Sequence, residues 1–129
     1  MLGWLYPVFA GKDEDETMSI VFLPQIPLMR SHSTGEFVPK FDLTAAKKYG
    51  TIQALVDSFE KPQNREEVLD NLHSGLSDFS DGDYVLAAGN PAILSWTVAV
   101  AAYYNDGFVN MLQWNSPKGE YDVVPAQLW

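Results

Sequence analysis

A glycine turn between an apolar run and an Ala-rich segment is the part of the sequence best suited to binding a small ligand. Ala88-Gly89-Asn90-Pro91 connects a predicted strand to a predicted helix. The first turn of a helix presents backbone N–H groups and the positive end of the helix dipole, which together can hold an anion. However, the turn lacks the glycine spacing of known phosphate-binding loops, and Pro91 has no N–H group. We therefore expect Asn90 to cap the helix, and ligand binding by Gly89 and Asn90 is an alternative.

A phosphate bound at this turn would also need a cation nearby. The chain holds no Lys or Arg between Arg65 and Lys118, so the cation would have to come from the first half of the sequence. The candidates are Arg30, Lys47 and Lys48.

Acidic side chains are concentrated in the second half of the chain. The formal charge is −9, and residues 66–129 hold nine of the 17 acidic residues but one basic residue. Six carboxylates lie in or just after a predicted helix and form a candidate partner-binding face: Glu66, Glu67, Asp70, Asp78, Asp81 and Asp83. Their negative field would accelerate association with a basic protein surface. Direct binding to nucleic acid is disfavoured, because an acidic protein gains nothing from releasing phosphate counterions.

Other catalytic and metal-binding patterns are weak. The absence of cysteine excludes thiol nucleophiles, disulfides and thiolate metal sites. His32 and His73 lack the spacing of zinc ligands, and the acidic residues around Gly82 lack the pattern of a calcium loop. Ser31 and Ser33 lie beside His32 in a predicted loop that would not hold a catalytic triad. We assign no catalytic residue, no metal ligand and no cofactor.

The first half of the chain predicts one strand, a long loop and two helices. Residues 18–23 are β-branched and aromatic, which is typical of a buried strand. Residues 24–39 lack periodicity and predict a long loop that could bind a partner. Apolar residues at helical spacing predict one helix over residues 42–59 and another over residues 64–79. Residues 1–17 are a possible N-terminal extension, and they lack the positively charged start of a signal peptide.

The last third predicts a βαβ unit followed by a hairpin. Residues 84–88 and 108–114 are apolar strands that flank an almost wholly apolar helix at residues 92–104. A strand, a helix and a second strand in so short a segment indicate a right-handed crossover with parallel strands. After a five-residue turn, residues 121–128 return as an antiparallel strand.

Together these elements predict an α+β fold in one domain, with an α/β-like C-terminal unit. We expect a small mixed sheet of four or five strands with about three helices packed on it. The hydrophobic fraction of 47% suffices for a core, and no apolar run approaches the ~20 residues that span a bilayer. An acidic, soluble, cytoplasmic protein is the expectation. Trp96 and Trp114 should be buried, whereas Trp4 and Trp129 should be exposed near the two ends.

The last third of the chain also resembles small hypothetical proteins of tailed bacteriophages. The resemblance rests on three stretches: Asp83-Tyr-Val-Leu-Ala-Ala-Gly-Asn-Pro91, Val109-Asn-Met-Leu-Gln-Trp-Asn115 and Tyr121-Asp-Val-Val-Pro125. The resemblance is strongest over residues 83–125. Those proteins usually have Asp where this chain has Asn90, which argues against a role that needs a carboxylate there. The resemblance implies a phage protein in the host cytoplasm and no particular activity.

These observations favour a non-enzymatic binding protein that docks its acidic face on a host or phage protein. Such docking could occupy a surface that normally binds nucleic acid. One alternative is a small-ligand or nucleotide-binding module that uses the turn at Gly89 and Asn90. Another is a structural or homo-oligomeric assembly protein whose copies join through exposed aromatic termini. No role at a membrane is expected.

Overall fold

The computed structural model describes residues 19–129, which form a five-stranded mixed sheet, a separate two-stranded hairpin and three helices. In chain order the elements are β1 (Ile20–Leu23), β2 (Leu28–Arg30), β3 (Phe37–Pro39), a 3-10 helix (Thr44–Tyr49), β4 (Thr51–Ala54), α1 (Arg65–Leu76), β5 (Tyr84–Leu86), α2 (Pro91–Tyr104), β6 (Phe108–Asn115) and β7 (Glu120–Gln127). The predicted α+β fold is confirmed. The predicted extension of residues 1–17, with Trp4, lies outside the described residues.

The five strands of the main sheet lie in the order β4-β1-β5-β6-β7. β1 pairs in parallel with β4 and with β5, and β5 pairs in parallel with β6. β6 and β7 form an antiparallel hairpin. The predicted parallel βαβ pairing and the C-terminal hairpin are therefore confirmed. Because β4 and β5 lie on opposite sides of β1, the order in which the chain adds strands reverses there.

β1 is buried on both faces of the sheet. Phe22 packs into a cluster with apolar residues of α1 and α2, including Leu72. Val21 and Leu23 pack on the opposite face with Ala46 of the 3-10 helix. A short run of apolar residues without polar alternation is typical of a parallel strand that is covered on both sides.

Residues 24–39 are not the uninterrupted loop that the sequence predicts. β2 and β3 pair as an antiparallel hairpin. The guanidinium of Arg30 lies 4.5 Å from the ring centre of Phe37, and its Nη1 donates a hydrogen bond to the carbonyl oxygen of Gly35 (2.6 Å). Because these contacts are local and most of the hairpin is exposed, no hydrophobic alternation marks its strands in the sequence.

The predicted helix over residues 42–59 is wrong. A 3-10 helix ends at Tyr49 and β4 follows, paired in parallel with β1. Gly50 separates the two elements because it lies against the backbone of Ser19, where an added Cβ would come within 2.5 Å of the carbonyl oxygen. Tyr49 and Ile52 both pack on the same core cluster, so their spacing matches the burial pattern without a continuous helix.

Both α-helices follow the sequence prediction closely. α2 begins at Pro91 with Asn90 as its N-cap, and the Asn90 Oδ1 accepts hydrogen bonds from the backbone N–H groups of Ala92 (2.9 Å) and Ile93 (3.3 Å). α1 ends at Leu76, shorter than predicted. No helix in residues 19–129 has both the length and the hydrophobicity that crossing a membrane requires.

Gly50→Ala should lower the free energy of unfolding by about 1–3 kcal/mol, because the added methyl group forces the backbone at the start of β1 and β4 apart. Gly82→Ala is the matched control, since Gly82 is exposed and a Cβ there would lie 3.7 Å from its nearest neighbour, the Ser19 Oγ. Guanidinium denaturation followed by tryptophan fluorescence compares the two variants. Equal denaturation midpoints would contradict the close approach at Gly50.

Candidate functional site

The carboxyl ends of β1 and β5 open onto a groove. After β1 the chain runs to the hairpin and the 3-10 helix, which packs on one face of the sheet. After β5 it passes through Gly89 to α2, which packs on the other face. In open sheets with parallel strands, ligands bind in the crevice where neighbouring strands send the chain to opposite faces. This position makes the groove the primary candidate for a binding site.

The groove has two adjoining compartments. One, which we call the glycine compartment, has a volume of about 330 Å³, and its walls include Gln25, Lys40, Ser58, Gly89 and Asn90. The other, the tryptophan compartment, has a volume of about 290 Å³, and its walls include Lys40, Phe41, Asp42, Trp114 and Tyr121. Four residues line both: Lys40, Phe41, Ala87 and Ala88. The two compartments therefore adjoin along these residues, and we call them together the groove.

The glycine compartment offers hydrogen-bond donors that the described part of the chain does not use. There, the backbone N–H groups of Gly89 and Asn90 donate no hydrogen bond, and the Ser58 hydroxyl has no partner. These N–H groups precede α2. The donors expected from the sequence, those of the first helical turn, are instead taken by the Asn90 side chain. Lys40 is the charged residue in this compartment.

Gln25 is held firmly in the wall of the glycine compartment. It is 5% exposed, and its Nε2 donates hydrogen bonds to the carbonyl oxygens of Asp57 (2.9 Å) and Glu60 (2.8 Å). Within residues 19–129 its amide oxygen accepts no hydrogen bond. Gly89 lies against it at φ +105°, and an added Cβ would come within 3.4 Å of the Gln25 carbonyl oxygen. Because of this φ angle, a side chain at position 89 would strain the turn.

The tryptophan compartment is lined by two exposed aromatic residues, Phe41 and Trp114. Trp114 was expected in the core, but it is 44% exposed near the end of β6, with its ring edge-on to Tyr121 at 5.0 Å. Phe41 is 48% exposed, and in the described chain its ring does not contact that of Trp114. The Lys40 Nζ lies 5.8 Å from the centre of the Phe41 ring.

Two polar groups complete this compartment. Tyr121 is 5% exposed, and its hydroxyl forms no hydrogen bond within the described residues. Burial raises the pKa of Tyr121, and the charge of Asp42 raises it further, so the hydroxyl keeps its proton. Hydrogen bonds from the side chain and backbone of Thr44 lower the pKa of Asp42, so it stays ionised. A hydrogen-bond donor and a charged acceptor therefore line the same cavity.

Sequence reasoning found Gly89 and Asn90 but missed the groove residues Lys40, Phe41 and Tyr121. The three proposed cations lie elsewhere, since Arg30 contacts Phe37 in the hairpin, and Lys47 and Lys48 lie on the 3-10 helix outside both compartments. Sequence spacing could not predict that Lys40 and Gly89 line the same cavity. They are distant in the sequence, and the fold brings their segments together at the carboxyl ends of β1 and β5. One sequence feature could have indicated the groove, namely an aromatic residue, Trp114, near the carboxyl end of a predicted strand.

Five of the six predicted acidic residues are exposed. Glu66, Glu67 and Asp70 are exposed on α1, and Asp78 and Asp81 are exposed after it. In the described part of the chain none of these carboxylates forms an ion pair.

Asp83 departs from the prediction, because it is buried. Its Oδ1 accepts a hydrogen bond from the Ile20 N–H (3.0 Å), and its Oδ2 accepts bonds from the N–H (3.0 Å) and hydroxyl (3.2 Å) of Ser80. This carboxylate ties β1 to the turn before β5, so its expected place on an exposed acidic face is wrong.

His73 and the terminal tryptophan, Trp129, pack against other parts of the structure. Among residues 19–129, no three His, Asp or Glu side chains come together in a way that could hold a metal ion. His73 Nδ1 lies 2.8 Å from the Tyr104 hydroxyl and links α1 to α2. Trp129 is exposed, as expected, although it lies against Gly107, where an added Cβ would contact its ring at 3.0 Å.

Comparison with models of known protein families gives a match. Residues 19–128 match the family model described as phage Pam3 gp32-like protein. This match confirms the phage origin that the sequence resemblance indicated. No curated protein and no solved structure matches the chain.

Asp83→Ala should lower the free energy of unfolding by about 1–3 kcal/mol, because it leaves buried backbone donors without an acceptor. Asp78→Ala removes an exposed carboxylate from the same region and should change stability by less than about 0.5 kcal/mol. Urea denaturation monitored by circular dichroism provides both values. Equal losses in the two variants would rule out a structural role for Asp83.

Proposed function

The chain belongs to the phage Pam3 gp32-like protein family, and we propose that it binds a small anionic ligand in the groove at the carboxyl ends of β1 and β5. The observation that carries this proposal is the glycine compartment, which is lined both by Lys40 and by residues with unused hydrogen-bond donors. We propose binding and assign no catalytic step.

The donors in the glycine compartment favour an anion over a neutral or cationic ligand. Lys40 supplies an ammonium group, and Gly89 and Asn90 supply backbone N–H groups. α2 begins at the next residue, Pro91, so the positive end of its dipole lies beside these donors. The Ser58 hydroxyl adds a donor from another part of the chain. Hydrogen bonds between ionised and neutral partners are about twice as strong as neutral ones, which suits a phosphate or carboxylate.

The size of the groove also fits a small molecule. Each compartment is near the lower end of the volumes usual for ligand pockets, about 300–1,000 Å³, and the two adjoin. Gly89 leaves the backbone of the turn accessible, because a side chain there would meet Gln25.

Titration of the protein with ribose 5-phosphate should shift the backbone amide resonances of Gly89 and Asn90 in a saturable way in ¹H–¹⁵N spectra. Lys40→Met should weaken this binding by about tenfold or more, because a hydrogen bond to a charged group contributes about 1.5–3 kcal/mol. Lys48→Met is the matched control, since it removes the same charge from an exposed position outside the groove. The absence of a saturable shift, or an equal loss in both variants, would refute the proposal.

The exposed carboxylates of α1 favour a second candidate function, which is docking on a host or phage protein. Glu66, Glu67 and Asp70 have no ion-pair partner within the described chain, so their field is not neutralised locally. A basic surface that otherwise binds nucleic acid is the kind of partner that such a field would attract. Docking through α1 and ligand binding in the groove involve different residues.

A double charge reversal, Glu66→Lys with Asp70→Lys, should abolish capture of a stoichiometric protein from nuclease-treated host lysate if α1 is a docking face. Glu36→Lys with Glu120→Lys changes the net charge equally at exposed positions outside α1 and should retain the partner. Mass spectrometry of the retained proteins compares the two baits. Loss with both baits would indicate a general charge effect and would exclude a specific face on α1.

A further inference from the structure

We infer, building on the proposed function, that the ligand is a mononucleotide or a molecule of the same chemical class, with a planar aromatic ring joined to an anionic group. The ring occupies the tryptophan compartment, and the anionic group occupies the glycine compartment. The geometry of the groove supports each part of this assignment separately.

The aromatic walls indicate the ring. Phe41 and Trp114 line the same compartment, each is about half exposed, and their rings do not touch within the described structure. Two aromatic faces that share a cavity without contacting each other leave space for a flat group between them. Stacking on aromatic side chains is the usual way in which proteins hold a nucleobase without distinguishing one base from another.

The polar groups of this compartment indicate a ring with hydrogen-bonding edges. Tyr121 as a residue is 5% exposed in the wall, and its hydroxyl has no partner among residues 19–129. A ligand acceptor in this compartment would give the hydroxyl a hydrogen-bond partner. Asp42 lines the same cavity and can accept a hydrogen bond from a ring N–H or an exocyclic amino group. A hydrocarbon ring would satisfy neither group.

The connection between the compartments indicates that ring and anion belong to one molecule. Lys40 and Phe41 line both compartments, so Lys40 is placed where an aromatic ring would meet its charged substituent. Ala87 and Ala88 also line both compartments, and their small side chains favour a passage between them. A sugar between base and phosphate would occupy this passage.

The test compares AMP, GMP, CMP and UMP with ribose 5-phosphate, which carries the anion without a base, using calorimetry and ¹H–¹⁵N spectra of the whole chain. At least one nucleotide should bind about ten- to a hundredfold more tightly than ribose 5-phosphate, because a stacked base contributes on that order. The same nucleotide should shift the indole N–H resonance of Trp114.

Variants assign this gain to individual side chains. Trp114→Ala should remove most of the preference for the nucleotide, whereas Trp114→Phe should retain much of it, and Trp129→Ala, at an exposed tryptophan outside the groove, should change nothing. Tyr121→Phe removes only the hydroxyl and should weaken nucleotide binding about fivefold while leaving ribose 5-phosphate unaffected. Dispersed amide spectra establish that each variant is folded.

The outcomes separate this inference from the proposed function. If ribose 5-phosphate binds at Gly89 but no nucleotide binds more tightly, or if Trp114→Ala leaves the preference intact, the assignment of the ring is wrong and the anion site stands. If neither ribose 5-phosphate nor any nucleotide shifts the amides of Gly89 and Asn90, the anion site fails and the inference fails with it.

Discussion

The burial of β1 on both faces is the constraint on which the rest of the structure depends. Four apolar residues with neighbours on each side cannot remain stable unless both faces are covered. The two α-helices cover one face, and the 3-10 helix covers the other. Parallel neighbours also place their carboxyl ends at the same edge of the sheet, so the chain leaves β1 and β5 in opposite directions there. The groove is the space that this divergence creates.

The elements that sequence predicted correctly are those whose local signals agree with their tertiary environment. α2 has an Asn90 cap, Pro91 in its first turn and a nearly continuous apolar composition, all of which favour the same helix. Residues 42–59 carry helical spacing, yet the approach of Gly50 to Ser19 breaks the helix and allows the second part to pair with β1. That approach depends on residues 31 positions apart in the chain, so no local pattern reports it.

The candidate site was only partly predictable for the same reason. A glycine turn before a helix is a local pattern, and it led to Gly89 and Asn90. Lys40 and Phe41 follow an irregular hairpin, and Tyr121 lies on the last strand, so their convergence is a property of the sheet order. For Asp83 the sequence predicted a functional role where the structure shows a structural one. The prediction grouped it with the exposed carboxylates near it in the sequence. In the fold it is buried and accepts hydrogen bonds from β1 and from the turn before β5.

The charge distribution restricts the size of the anion that the groove can hold. A polynucleotide gains affinity from several phosphate contacts along its backbone, and a chain with a net charge of −9 would repel most of its length. A single small anion is different, because charges beyond a Debye length of about 8–10 Å are screened and the local donors decide its affinity. The glycine compartment has one lysine rather than a basic stripe. Overall acidity and a local anion site are therefore compatible only for a ligand small enough to fit within the groove.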